Sequence, residues 1–207
     1  MSGHNHEHGE EVSKRLLGQA TLVNGIIGVA EIVAGTLSGS SVLQADAVHN
    51  AVDTSMYGLK WRLSGKENPE KVRRYRKWIM SAICLGSLAV GAKATYELAT
   101  EQYDEPPAAA VGVAVAAGAA NITVAKRLHA TRHGAEGVHH DGLRHAASDA
   151  FSSIVTISSA TLAYKGYEVA DPLGALVTTG ITVSMNFPTT NRLGSEANFD
   201  EPLCEDQ

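Results

Sequence analysis

The pattern HxxxD occurs twice in the chain, as His49-Asn50-Ala51-Val52-Asp53 and as His145-Ala146-Ala147-Ser148-Asp149. On an α-helix, residues i and i+4 lie on one face about a turn apart, so each pattern aims an imidazole and a carboxylate in one direction. Each helix then carries half of a metal site. Brought face to face, His49, Asp53, His145 and Asp149 form a set of two imidazoles and two carboxylates. Such a set suits tetrahedral Zn2+ and, less selectively, Cd2+, Co2+, Fe2+ or Mn2+, while the imidazoles tilt it away from Mg2+. A single HxxxD among nine histidines would read as a hydrogen-bonded surface pair. Two in matching contexts read as ligands.

The elements that must position these residues are helices. The stretch 16–40 is apolar, with Glu31 as its one ionisable residue and Gln19 and Asn24 as its other strongly polar members. The stretches 106–125 and 172–191 carry no charge and match the roughly 20 residues needed to span a bilayer. A further apolar run over 78–92 leads to Lys93 and Glu97, whose i, i+4 spacing would let them pair with each other or reach the membrane interface. Between these runs lie two amphipathic helices, 42–63 and 141–164, and both HxxxD patterns fall on them. The expected fold is all-α, a polytopic membrane bundle of about six transmembrane helices. Ionisable groups buried in such a bundle default to function, because hydrocarbon surroundings penalise them.

Loop charge gives the orientation. Lys66, Lys71, Arg73, Arg74, Arg76 and Lys77 fall in one connection, and Lys126, Arg127, Arg132 and Arg144 in or beside another. The alternate connections, 38–41, 101–106 and 165–171, hold one basic residue, Lys165, and several acids. Basic loops stay in the cytoplasm, which places both termini there. Against the membrane reading stand a mean hydropathy of -0.07 and 19% charged residues. Much of that charge falls in the termini and connections, and the abundance of Gly, Ala, Ser and Thr lowers hydropathy while permitting close helix packing. A fold with a more polar outer surface would give the same average.

Other classes are excluded or disfavoured. With 207 residues and only six prolines the chain reads as one compact unit. Its net charge of -5, with no aromatics interleaved among basic residues, argues against a nucleic-acid partner. Cys84 and Cys204 fit neither a CxxC motif nor a disulfide framework. The first residues lack the apolar run of a signal peptide. No Gly-rich phosphate loop, GxSxG or evident nucleophile is present, so an enzyme is not expected.

Several residues around the central four have two readings each. Asp46 either accepts a hydrogen bond that orients the His49 imidazole or is polar lining. Glu31 and Asn24 either line a cavity or bond between helices, the commoner case. His4, His6 and His8 either gather metal at the cytoplasmic mouth or are solvated, and His129, His133, His139 and His140 either pass metal inward or meet lipid phosphates. Asp171-Pro172 reads as a helix N-cap followed by proline at the first helical position.

From about residue 16 to 191 the sequence resembles the cation diffusion facilitator family of divalent-metal transporters. The resemblance lies in Ala30-Glu31-Ile32-Val33-Ala34-Gly35, then Ser38-Gly39-Ser40 and Ala45-Asp46-Ala47-Val48-His49, which look like the first two spans of the family. Leu143-Arg144-His145-Ala146-Ala147-Ser148-Asp149-Ala150 looks like the fifth span, and Ala170-Asp171-Pro172 like the start of the sixth. The resemblance implies a His-rich cytoplasmic tail at 1–15, a six-helix cation-efflux domain at 16–191 and a short acidic cytoplasmic tail at 192–207. It implies that His49, Asp53, His145 and Asp149 form the transport site of a proton antiporter that exports zinc or a similar ion by alternating access. Its partners would be divalent metal ions, protons, the lipid bilayer and a second copy in a homodimer. Family members carry a cytoplasmic domain after the sixth span, and residues 192–207 are too few to fold as one. The other functional reading is a helical protein that binds or senses divalent cations without moving them.

Overall fold

The computed structural model describes residues 4–63, 69–130 and 139–191. They form six helices, α1 (His4–Ser38), α2 (Ser41–Leu63), α3 (Pro69–Thr100), α4 (Ala108–Ala130), α5 (His139–Tyr164) and α6 (Ala170–Asn191), and no strand is present among the described residues. The two amphipathic helices begin one and two residues earlier than the sequence pattern suggests. The His-rich start, expected as a tail, joins α1 from His4 onward.

Helix ends follow local chemistry. Gly39 takes a left-handed φ of 72° directly after α1, which turns the chain into α2 within two residues. A Cβ at that position would run into the Asp104 side chain. At the end of α5, Gly166 has φ 90°, and the Tyr167 N–H donates to the Leu162 carbonyl at 3.0 Å. That pairing, with Gly166 N–H donating to Ala163 at 3.0 Å, is a Schellman closure. Two prolines, Pro106 and Pro107, precede α4, where their missing N–H groups leave no helical bond unmade.

The helices pack as a closed ring in the order α1, α2, α3, α6, α5, α4 and back to α1, and α2 also touches α5 and α6 across the centre. Small residues make this possible. The main apolar cluster is Val42, Leu43, Ala45, Ala94, Ala110, Ala114, Ala160 and Ala175, drawn from five helices and mostly alanine. A Cβ on Gly35 would lie 3.0 Å from the Gln44 backbone nitrogen, and one on Gly174 would meet the Ser159 side chain. These contacts fix the close approach of α1 to α2 and of α5 to α6.

The distribution of polarity is inverted relative to a water-soluble bundle. The largest fully buried side chains include His49, Glu31, Asn50, Thr156, Thr178, Thr182, Asp46 and Asp53, whereas Leu22, Val29, Leu37, Leu85, Leu88 and Ile154 face outward. Leu37 is 85% exposed and Glu31 0%. In water such a surface would aggregate, and in lipid it is the expected one. The near-zero mean hydropathy thus reflects a polar interior as well as polar ends. Among the described residues three helices are long and apolar enough to cross a membrane: Arg15–Ser38, Arg74–Thr100 and Ala108–Arg127. The last of these matches the charge-free stretch at 106–125. The other charge-free stretch, 172–191, lies on α6, and the side chains of its final residues, from 185 on, lie outside the described ones.

Candidate metal centre

The i, i+4 spacing on α2 works as the sequence suggests: His49 and Asp53 both point into the bundle, 2% and 1% exposed. Asp149 reaches the same place from α5 and is 6% exposed. One ligand atom from each of the three lies within 4.8 Å of the others. The closest approach is His49 Nε2 to Asp149 Oδ1, 3.3 Å. An imidazole nitrogen and two carboxylate oxygens are the donor types that could hold a divalent cation.

Of the four residues expected from the two HxxxD patterns, three are brought together. The fourth, His145, lies on α5 one turn before Asp149, and its side chain lies outside the described residues. The side chains of His4, His6, His8, His129, His139 and His140, and the whole of His133, also lie outside them.

The imidazole is oriented by a residue that sequence reasoning did not single out. Thr182 Oγ1 on α6 lies 3.2 Å from His49 Nδ1 and donates its own proton to the Thr178 carbonyl at 2.9 Å. With its hydroxyl proton committed there, Thr182 accepts from Nδ1–H. This leaves Nε2 as the nitrogen that faces Asp149, and the bond to Nδ1 holds the ring in the pose a metal ligand needs. The one signal in the sequence is that Thr178 and Thr182 form an i, i+4 pair within the charge-free stretch 172–191.

Asp46, one candidate for orienting the imidazole, does something else. Its Oδ1 accepts from Ser152 Oγ on α5 at 2.7 Å, and its carboxyl group faces that of Glu31 on α1. Glu31 makes the interhelical bond expected of it, accepting from Asn50 Nδ2 at 2.6 Å. Asp171 departs from its expected role as the N-cap of its own helix. It sits inside the first turn of α6, and its carboxylate serves the N-terminus of α2 instead, accepting from Ser41 N at 2.6 Å, Val42 N at 3.2 Å and Ser40 Oγ at 2.6 Å. Four N–H groups at a helix start lack intrahelical partners, so a buried start recruits an acceptor from wherever packing supplies one. Beside it, the expected pair of Lys93 and Glu97 forms at 2.5 Å, and Lys93 Nζ also donates to the Gly39 carbonyl at 2.8 Å and to Ser41 Oγ at 2.6 Å. Together these bonds tie α2, α3 and α6 at one end of the bundle.

Compared with known proteins, the chain matches no family model and none of the curated proteins.

Proposed function

We propose that this chain is a multi-pass transporter of divalent cations, of the cation diffusion facilitator type, with zinc as its most fitting substrate and both termini in the cytoplasm. His49, Asp53, His145 and Asp149 are the ligands in this reading. The observation that carries it is the meeting of His49, Asp53 and Asp149, from two helices a hundred residues apart, inside a bundle whose outer face is apolar. Two carboxylates and a histidine in such a setting are costly to bury unless a cation occupies them. Cd2+, Co2+, Fe2+ and Mn2+ are the alternative ions for the same donors.

Exchange for protons follows from ligand chemistry. Both ring nitrogens of His49 face acceptors, Thr182 Oγ1 and Asp149 Oδ1, an arrangement satisfied by a proton on each. A metal ion needs the Nε2 lone pair and so displaces the proton held there. Metal and proton occupy the site alternately, which is the requirement for antiport by alternating access. Because the ligands come from α2 and α5, relative movement of these two helices opens or breaks the set.

The test is zinc-driven proton movement in vesicles containing the purified chain, beside Asp53→Ala and Asp149→Ala, with zinc binding measured in parallel. Coupled flux in the parent chain, lost in both variants, supports the transporter. Zinc binding without flux in correctly inserted protein supports a protein that sequesters or senses cations.

A further inference from the structure

Beside the metal centre lies a second buried polar cluster that the ligand set does not use. Glu31 on α1 is 0% exposed, Asp46 on α2 1% and Asn50 on α2 0%. The carboxyl groups of Glu31 and Asp46 face each other at hydrogen-bonding range. Asn50 Nδ2 donates to Glu31 Oε2 at 2.6 Å, and Ser152 Oγ donates to Asp46 Oδ1 at 2.7 Å. The other Glu31 oxygen, Oε1, is fully buried and no donor reaches it. Among the described residues no cationic side chain pairs with Glu31; Asp46 is the charged group facing it from α2, the neutral Asn50 and Ser152 meet the cluster from α2 and α5, and the His49 imidazole on α2 acts on Asp46 electrostatically.

Two buried carboxylates in contact cannot both stay ionised without a cation between them, and sharing one proton is the least demanding solution. The hydrogen bonds assign that proton. Asn50 and Ser152 each donate, marking one oxygen on either group as an acceptor. A hydroxyl on Glu31 directed at Asp46 then supplies a donor between the two carboxyl groups; Asn50 Oδ1 is the other buried acceptor of the cluster that no donor reaches. We propose that Glu31 and Asp46 form a proton-binding site, an acid and carboxylate pair distinct from the metal ligands, that carries a proton of the exchange cycle. The last clause rests on the transporter reading; the shared proton does not.

The position suits that task. Asp46 precedes His49 by three residues, about 4.5 Å along the helix axis, and Asn50, which holds Glu31, follows His49 directly. A shift of α2 that rearranges the metal ligands therefore also moves Asp46 and Asn50, two of the four groups that define the proton site. When Glu31 loses its proton, the bond to Asp46 is lost and two like charges face each other, which favours separation of α1 from α2. Proton occupancy and helix position are thereby linked.

Infrared difference spectroscopy of the protein in lipid tests the site directly, through the carbonyl stretch of a protonated carboxylic acid, which ionised carboxylates lack. The proposal expects this band at neutral pH in the parent chain, shifted by deuterium exchange, absent in Glu31→Gln and altered in Asp46→Asn. Glu31→Gln keeps the geometry, because its amide oxygen accepts from Asn50 and its amide nitrogen donates to Asp46, so the fold should survive. Asp46→Asn is the second variant should the Glu31→Gln substitution disturb packing. A band unchanged in both variants, or no band in the parent chain, overturns the proposal. In transport, Glu31→Gln is expected to bind zinc while releasing fewer protons per zinc and losing proton-coupled flux; undiminished coupled flux overturns the carrier role. A parent chain that binds zinc without any flux defeats the transporter reading alone, and the infrared result then decides the proton site by itself.

Discussion

His49 Nε2 on α2 lies 3.3 Å from Asp149 Oδ1 on α5, and the same imidazole is held from its other side by Thr182 Oγ1 on α6 at 3.2 Å. Three helices thus fix one ring between them, with Nε2 facing Asp149 and the Asp53 carboxylate within 4.8 Å of the His49 and Asp149 ligand atoms. An imidazole that served only to fill the core would need neither carboxylate.

In the proposed site Thr182 would act on a bound metal only through His49, which it holds at Nδ1. Thr182→Val keeps the shape of the side chain and removes the acceptor for Nδ1–H, so the ring loses its anchor. Zinc affinity is expected to fall by about 10–100-fold, the usual effect of losing a partner of a ligating histidine. Titration calorimetry checks this, and circular dichroism should show unchanged helix content. An unaltered affinity would mean that packing alone orients the ring.

Zinc binding should release protons. His49 Nε2 faces Asp149 Oδ1 at 3.3 Å, and a proton held between them must leave before the lone pair can reach a metal. The sign follows: lower pH favours the protonated ring, so apparent zinc affinity rises as pH rises. Calorimetry in buffers of different ionisation enthalpy gives the number of protons released, and a value of zero would contradict the shared use of Nε2.

Asp171 is predicted to matter for stability rather than for binding. Asp171→Ala leaves Ser41 N, Val42 N and Ser40 Oγ without their acceptor in a buried setting. Loss of a cap costs about 0.5–2 kcal/mol, and bonds to a charged acceptor lie toward about 1.5–3 kcal/mol. The thermal midpoint in detergent should fall while zinc affinity per folded molecule is kept. A variant as stable as the parent would show that water replaces the carboxylate at this end of α2.

Much of the arrangement could be read from residue order. The HxxxD spacing of His49 and Asp53 identified the inward face of α2, Asp149 of the second pattern is buried on α5, and of the two readings of the Lys93 and Glu97 spacing the fold contains the ion pair. These are local relationships, fixed by the helical repeat, and the repeat is visible in sequence. What could not be read depends on which helices become neighbours. Thr182 orients His49 because α6 lies against α2, and Asp171 caps α2 because the two helix starts meet at one end of the bundle. Asp46 turns to Glu31 and Ser152 because α1 and α5 flank α2 at that level. Hydropathy misled for a related reason: an average over the chain counts a buried Glu31 and an exposed lysine alike, although one lies in the interior of an apolar-faced bundle and the other at its ends.

The measurement that bears most directly on the central claim is X-ray absorption at the zinc edge of the zinc-loaded protein. A centre built on His49, Asp53 and Asp149 predicts only nitrogen and oxygen neighbours at about 2.0–2.2 Å, with imidazole scattering that weakens in His49→Ala. Sulfur at about 2.3 Å, or a spectrum indifferent to His49, would place the metal elsewhere and contradict the account.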